Sequence, residues 1–198
     1  MDTLKAEKRD KTIKAKRLRR EGYVTGNVFG REIEGSIPIK IDRREAERVF
    51  RTKKKGSQLY LDVEGTKMDV LIKEMDYNSM KGQYDEVDFQ ALVSSEKVHS
   101  VAEVVLLNHD KIQAGILQVV LEEIAYRALP SALVEKVEID VGEMKPGDSI
   151  KVGDLPIASN PEVELSTSRD AVVVLVSEPH ASAVTSAEEE AEADADAK

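Results

Sequence analysis

Residues 37–50 read IPIKIDRREAERVF, and a change of period inside this stretch sets the expected architecture. Ile37, Ile39 and Ile41 alternate with Pro38 and Lys40, the two-residue repeat of a strand with one buried face. Pro38 has no amide hydrogen to donate, which predicts an edge position for that strand. Asp42 then stands as an N-cap, with Glu45 three residues on in capping-box spacing. Residues 43–51 turn to helical spacing, and Ala46, Val49 and Phe50 share one apolar face.

The same two signals recur on either side. Residues 3–9 can form a strand, and residues 14–21 (KAKRLRRE) a helix ended by Gly22 at C′. That helix offers only Ile13, Ala15 and Leu18 as apolar contacts, so packing holds it weakly and its charge must face solvent or a partner. Residues 24–29 read as a short strand between glycines. Residues 58–63 and 67–74 read as a hairpin around Glu64-Gly65. In residues 84–92 (YDEVDFQAL), Val87 and Phe89 fall on one face, Glu86 and Asp88 on the other.

From Ser94 onward β-branched residues dominate, with strands expected over 98–107, 116–128, 137–141, 144–155 and 171–176. The expected fold class is therefore mainly β with short helices (α+β). The boundary is placed at Val93-Ser94-Ser95-Glu96, giving domains over 1–92 and 95–178. Residues 180–198 are Ala/Glu/Asp-rich, too poor in apolar groups to fold, and are expected to be a disordered acidic tail.

The formal net charge is −9, which alone argues against nucleic acid, but the average hides an asymmetry. Residues 1–55 hold 18 Lys and Arg against 9 Asp and Glu; residues 91–198 hold 8 against 21. Only the front of the chain can attract phosphate strongly. With no cysteine, disulfide and thiolate chemistry is excluded. The absence of a long apolar run and of a secretory leader leads to the expectation of a soluble, cytoplasmic protein with no membrane partner.

The densest chemical feature is Lys14, Lys16, Arg17, Arg19 and Arg20, with Arg9 nearby. No acidic residue lies between Lys11 and Arg20 to pair them locally, so a polyanion is the expected counter-charge; a solvated helix face is the alternative. Arginine suits RNA because its planar fork grips two phosphate oxygens or a guanine edge. Lys53-Lys54-Lys55 is either a second phosphate contact or a solubilising loop. Phe29 either stacks on a base or fills a core. Asp88 either accepts from a base amino group or orients an arginine, or is an ordinary outward polar residue. Asp85, Glu86 and Asp88 form an acidic cluster without convergent ligands elsewhere, so no metal or other cofactor is expected. His99, His109 and His180 belong to no metal or nucleophile motif, and no phosphate-loop or serine-elbow signature occurs, so no catalytic residues are assigned and no enzyme is expected.

The order LKAEKR, KAKRLRREG, a strand ending VFG, then IPIKID, with EVDF at 86–89, resembles the bacterial large-subunit ribosomal protein family that binds 5S ribosomal RNA. AGILQ at 114–118 and VEIDVGEMKPGDSIKVGDLPI at 137–157 resemble its two-domain, Ctc-type (general stress protein) branch. The resemblance, over about residues 3–178, implies a small β-barrel that grips 5S rRNA, then a β-rich domain, with the large ribosomal subunit and not DNA as partner. It implies an RNA-binding set of Arg9, Lys14, Lys16, Arg17, Arg19, Arg20, Phe29 and Asp88, and a monomer off the ribosome. Three departures stand out: Phe29 where the family commonly has Tyr, Glu86 where it has His, and Thr25 where Pro is usual before Gly26. These leave a rival reading, a stress-linked paralogue with weakened RNA binding that acts as a protein-interaction module.

Overall fold

The structure is a computed structural model and describes residues 3–112 and 115–178. The first unit comprises β1 (Thr3–Lys8), α1 (Ala15–Arg20), β2 (Tyr23–Phe29), β3 (Ser36–Asp42), α2 (Arg43–Phe50), β4 (Gln58–Val63), β5 (Thr66–Asn78) and β6 (Gln83–Ala91). Its strands close into a barrel in the order β1-β3-β2-β6-β5-β4, with β1–β4 and β2–β6 parallel. Closure removes free sheet edges. The inward residues Val24, Val28, Ile39, Ile41, Leu59 and Phe89 form the core, joined by Ala46, Val49 and Phe50 of α2. Asp42 caps α2 as expected, its Oδ1 accepting from Arg44 N (2.9 Å) and Glu45 N (3.4 Å). The hairpin at Glu64-Gly65 also forms, both residues at positive φ (52° and 90°), as a two-residue primed turn requires.

Pro38 is not on an edge. β3 lies between β1 and β2. A strand residue's N and O point to the same side, and Pro38 O accepts from Arg9 N (2.9 Å). The missing donor therefore faces β1 just past Lys8↔Ile39, where that ladder ends, and only one terminal bond is lost. β5 also runs past its expected end at residue 74. Tyr77 packs on Tyr84 and Tyr84 on Phe50, ring centroids 5.0 and 5.1 Å apart, and this aromatic chain supports the extension.

The second unit comprises β7 (Val98–Leu107), β8 (Ile116–Val119), β9 (Glu123–Ala128), β10 (Lys136–Asp140), β11 (Ser149–Lys151), β12 (Val163–Leu165) and β13 (Val172–Ser177). They form two sheets, β10-β7-β9-β12 and β11-β13-β8, over a shared core that includes Ala102, Ile124, Tyr126, Ile139, Val173 and Val174. Residues 116–128 are two strands rather than one. Val120 N and Leu121 N both donate to Val173 O, and there the chain leaves one sheet for the other. Residues 144–155 yield only the short β11, because Val152–Asp154 turns into 3₁₀ geometry. The tail over 180–198 lies outside the described residues.

Candidate nucleic-acid interface

α1 is a short helix with one buried side chain, Leu18. Its N-cap position is Lys14, which makes no side-chain cap, whereas Arg17, Arg19 and Arg20 sit in the last turn, where the negative end of the helix dipole favours cations. Lys14, Lys16, Arg17 and Arg20 are exposed. Arg17 pairs with Glu21 one turn on (2.8 Å), a solvated contact of little strength. Lys14, Lys16 and Arg20 make no ion pair among the described residues.

Arg19 is different. Its Nε donates to Asp85 O (3.0 Å), and its Nη2 to Thr25 Oγ1 (3.3 Å) and Glu86 Oε2 (3.0 Å). These bonds stitch α1 to β2 and β6, and they commit much of the guanidinium fork inside the protein. Arg9 is half-buried. Its Nη2 donates to Ile13 O (3.0 Å), which closes the turn leading into α1.

A cleft of about 510 Å³ lies against α1, lined by Lys16, Arg19, Arg20, Arg43, Lys81, Gln83 and Asp85. Five cations thus surround one carboxylate. Hydrogen bonds from Asn78 Nδ2 (3.0 Å) and Gln83 Nε2 (2.9 Å), helped by the positive charges of Arg19 and Lys81, hold the Asp85 carboxyl below its ordinary pKa. Arg43 Nη2 donates to Arg19 O, which fixes the first residue of α2 beside the last turn of α1. Another cleft, of about 490 Å³, mixes Lys5 and Lys40 with Glu7, Glu45 and Asp62, and so concentrates no single sign.

Of the expected set, Lys16, Arg19 and Arg20 line the basic cleft; Arg9, Lys14, Arg17, Phe29 and Asp88 do not. Phe29 is half-buried on β2, paired with Ser36 and Gln90. Asp88 Oδ1 accepts from Asn27 N and Asn27 Nδ2 (both 3.2 Å), so it orients an asparagine and not an arginine. Strand alternation splits the acidic cluster: Asp85 is buried at 8% exposure, while Glu86 and Asp88 face outward toward Glu74 and Asp76. The described residues contain no group of three His, Cys, Asp or Glu side chains suited to a metal ion.

Arg43, Lys81 and Gln83 were not legible as site residues. Arg43 read as the start of an amphipathic helix, and Lys81 sits in the β5–β6 turn; only barrel closure brings them to α1. Lys53-Lys54-Lys55 stays out of the cleft, because its ammonium groups meet glutamates of the second unit.

Comparison with known proteins matches the sequence to a family. Residues 4–89 match the family model described as the Ribosomal L25p family, and residues 97–180 that of the C-terminal domain of ribosomal protein TL5. The large ribosomal subunit protein bL25 of Methylobacillus flagellatus is 31% identical over 190 residues, covering 91% of each chain. The protein of that name from Listeria monocytogenes is 30% identical over 183 residues (90% of this chain, 87% of the relative). That of Carboxydothermus hydrogenoformans is 32% identical over 166 residues (82% and 81%). With both units matched and relatives aligned over nearly their full length, the chain belongs to the ribosomal L25p family, a family of ribosomal structural proteins and not of enzymes, in its two-domain form with a TL5-type C-terminal domain.

Proposed function

We propose that this protein is a structural component of the large ribosomal subunit, attached through its barrel to 5S rRNA. The observation that carries the reading is the cleft in which Lys16, Arg20, Arg43 and Lys81 meet without an ion-pair partner among the described residues. Cations held together on a rigid barrel repel one another until a phosphate chain neutralises them. Lys14 and Arg17 extend the positive surface along α1, and Arg9 shapes its approach. Arg19 keeps the cleft wall in place through Nε and Nη2. Phe29 and Asp88, on β2 and β6, are proposed as flanking contacts. Residues 1–92 bind RNA in this reading, residues 95–178 form the second domain, and the protein is a monomer off the ribosome. Attachment to ribosomes would place it in the cytoplasm.

Gel-shift titration of the full chain against 5S rRNA tests the proposal. If about six phosphates are neutralised, log affinity falls with log salt at a slope of roughly −4 to −5. No shift at low salt refutes it.

The Arg19–Glu86 ion pair favours one rival, the stress-linked paralogue with weakened RNA binding and a protein partner. A carboxylate at that place occupies the arginine and repels a nearby phosphate. Sucrose-gradient fractionation separates the readings: co-sedimentation with large subunits rejects the rival.

A further inference from the structure

Two neighbouring strands of the second unit carry glutamates at one level, and a third glutamate stands just ahead of the next strand. Glu103 on β7 stands directly opposite Glu123 on β9 in the antiparallel ladder. On its other side Glu103 pairs with Lys136 of β10, and Glu103 N donates to O of the preceding residue, Glu135 (3.0 Å), which holds Glu135 beside the end of β7. Strands lie about 4.8 Å apart, and like charges directly opposite destabilise a sheet. Lys136 offsets part of this charge, and the opposed Glu103–Glu123 pair favours a further cationic partner.

The barrel supplies one. Lys53 Nζ meets Glu135 Oε1 (2.7 Å), Lys54 Nζ meets Glu103, and Lys55 Nζ meets Glu123 Oε2 (2.9 Å). Consecutive lysines therefore read consecutive strands: the approach to β10, then β7, then β9. Lys53 N donates to Val49 O (2.9 Å) and Ser57 N to Lys54 O (3.0 Å), so the three lysines fan out from a turn and their flexible stems span the strand spacing. Lys53 is the most sequestered of the three, its side chain 18% exposed.

The backbone meets the same surface. Gly56 (φ +84°) sits so close to β7 that a Cβ would fall 2.0 Å from Val101 O. Ser100 Oγ donates to Gly56 O (3.5 Å), and Lys73 Nζ to His99 O (2.9 Å). Charge row, glycine seat and backbone acceptors coincide on one face.

We infer that Lys53-Lys54-Lys55-Gly56 is an intramolecular clasp that seats the barrel on the glutamate row and fixes the two domains as one body, so these lysines are not an RNA contact. Whatever the barrel grips, the second domain is then held out in a set direction. Contact pairs with partial exposure weaken as salt rises, so the clasp loosens at high ionic strength.

The test uses the full chain without RNA, so it stands or falls independently of the RNA assignment. ¹⁵N relaxation reads the tumbling of each domain. The wild type should show one shared correlation time at low salt. The triple variant Lys53→Glu, Lys54→Glu, Lys55→Glu should lose it, leaving two shorter times and faster proteolysis in residues 92–97. Adding Glu103→Lys, Glu123→Lys and Glu135→Lys should restore the shared time. If the reversed chain does not fold, Lys53→Gln, Lys54→Gln, Lys55→Gln replaces it with the same expectation. A triple variant that still tumbles as one body overturns the clasp. So does a wild type whose domains already tumble separately.

Discussion

Residues 14–20 and residues 53–55 are both dense runs of positive charge, and the fold treats them differently. The first lies on a helix with one buried residue, held against β2 and β6, and Lys14, Lys16 and Arg20 make no ion pair among the described residues. The second lies in a loop facing the acidic sheet of the neighbouring domain, and each of its lysines is matched by a glutamate. A cationic run states that counter-charge is needed; it does not say whether RNA or the protein itself provides it. Even in the first run Arg17 and Arg19 are paired internally, so only part of its charge is left for a partner.

The largest expected effect breaks the comparison outright. Replacing Lys16, Arg20, Arg43 and Lys81 together with Ala removes about four phosphate contacts and should flatten the salt slope of 5S rRNA binding by roughly 3. Replacing Lys53, Lys54 and Lys55 with Ala should leave that slope unchanged. Equal losses from both sets, in gel shifts across a salt series, would make the two runs equivalent.

Next come the glycines that follow each run. At Gly22 (φ +94°) an added methyl group would meet nothing within 4 Å, so Gly22→Ala should cost only the left-handed backbone penalty, about 1 kcal/mol. Gly56→Ala adds a collision with Val101 O and should cost about 2–3 kcal/mol in thermal unfolding. Similar losses at the two positions would deny the close seating of the lysine loop.

Glu86→Gln probes the mixed character of the first run. It frees Arg19 and removes a negative charge near the RNA, so binding should tighten by about 0.2–1 kcal/mol, read as a lower Kd at fixed salt. Weaker binding would mean that the ion pair holds Arg19 in its productive position.

The smallest effect is one of pH. Asp85 has its folded pKa depressed by hydrogen bonds from Asn78 and Gln83. Its contribution to stability is therefore fully present above the unfolded value of 3.8 and is lost as pH falls through the lower folded value. Stability of Asp85→Asn should change less between pH 5 and pH 2 than that of the wild type, as measured by denaturant unfolding.

Much of the fold could be read locally. Alternation at Ile37, Ile39 and Ile41 and the cap at Asp42 depend on residues a few positions apart, and both formed. Pro38 misled because an edge is a property of the sheet, and whether a missing donor matters depends on where the neighbouring ladder stops. Residues 116–128 misled because β-branched composition marks extended chain without saying which sheet each half joins. For the site, α1 was visible as a charge run. Arg43 was not, since its position beside Arg19 spans 24 residues and is made by the turn of β3 into α2.

The sequence by itself determined the strand and helix periods, the cap, the Glu64-Gly65 turn and the basic front set against an acidic back. Those are short-range free energies, settled by neighbours along the chain. Only the tertiary structure decided which charges are left for a partner. An ion pair needs two groups within a few ångströms, and barrel closure and domain contact choose those groups across dozens of residues, as Lys53 and Glu135 do.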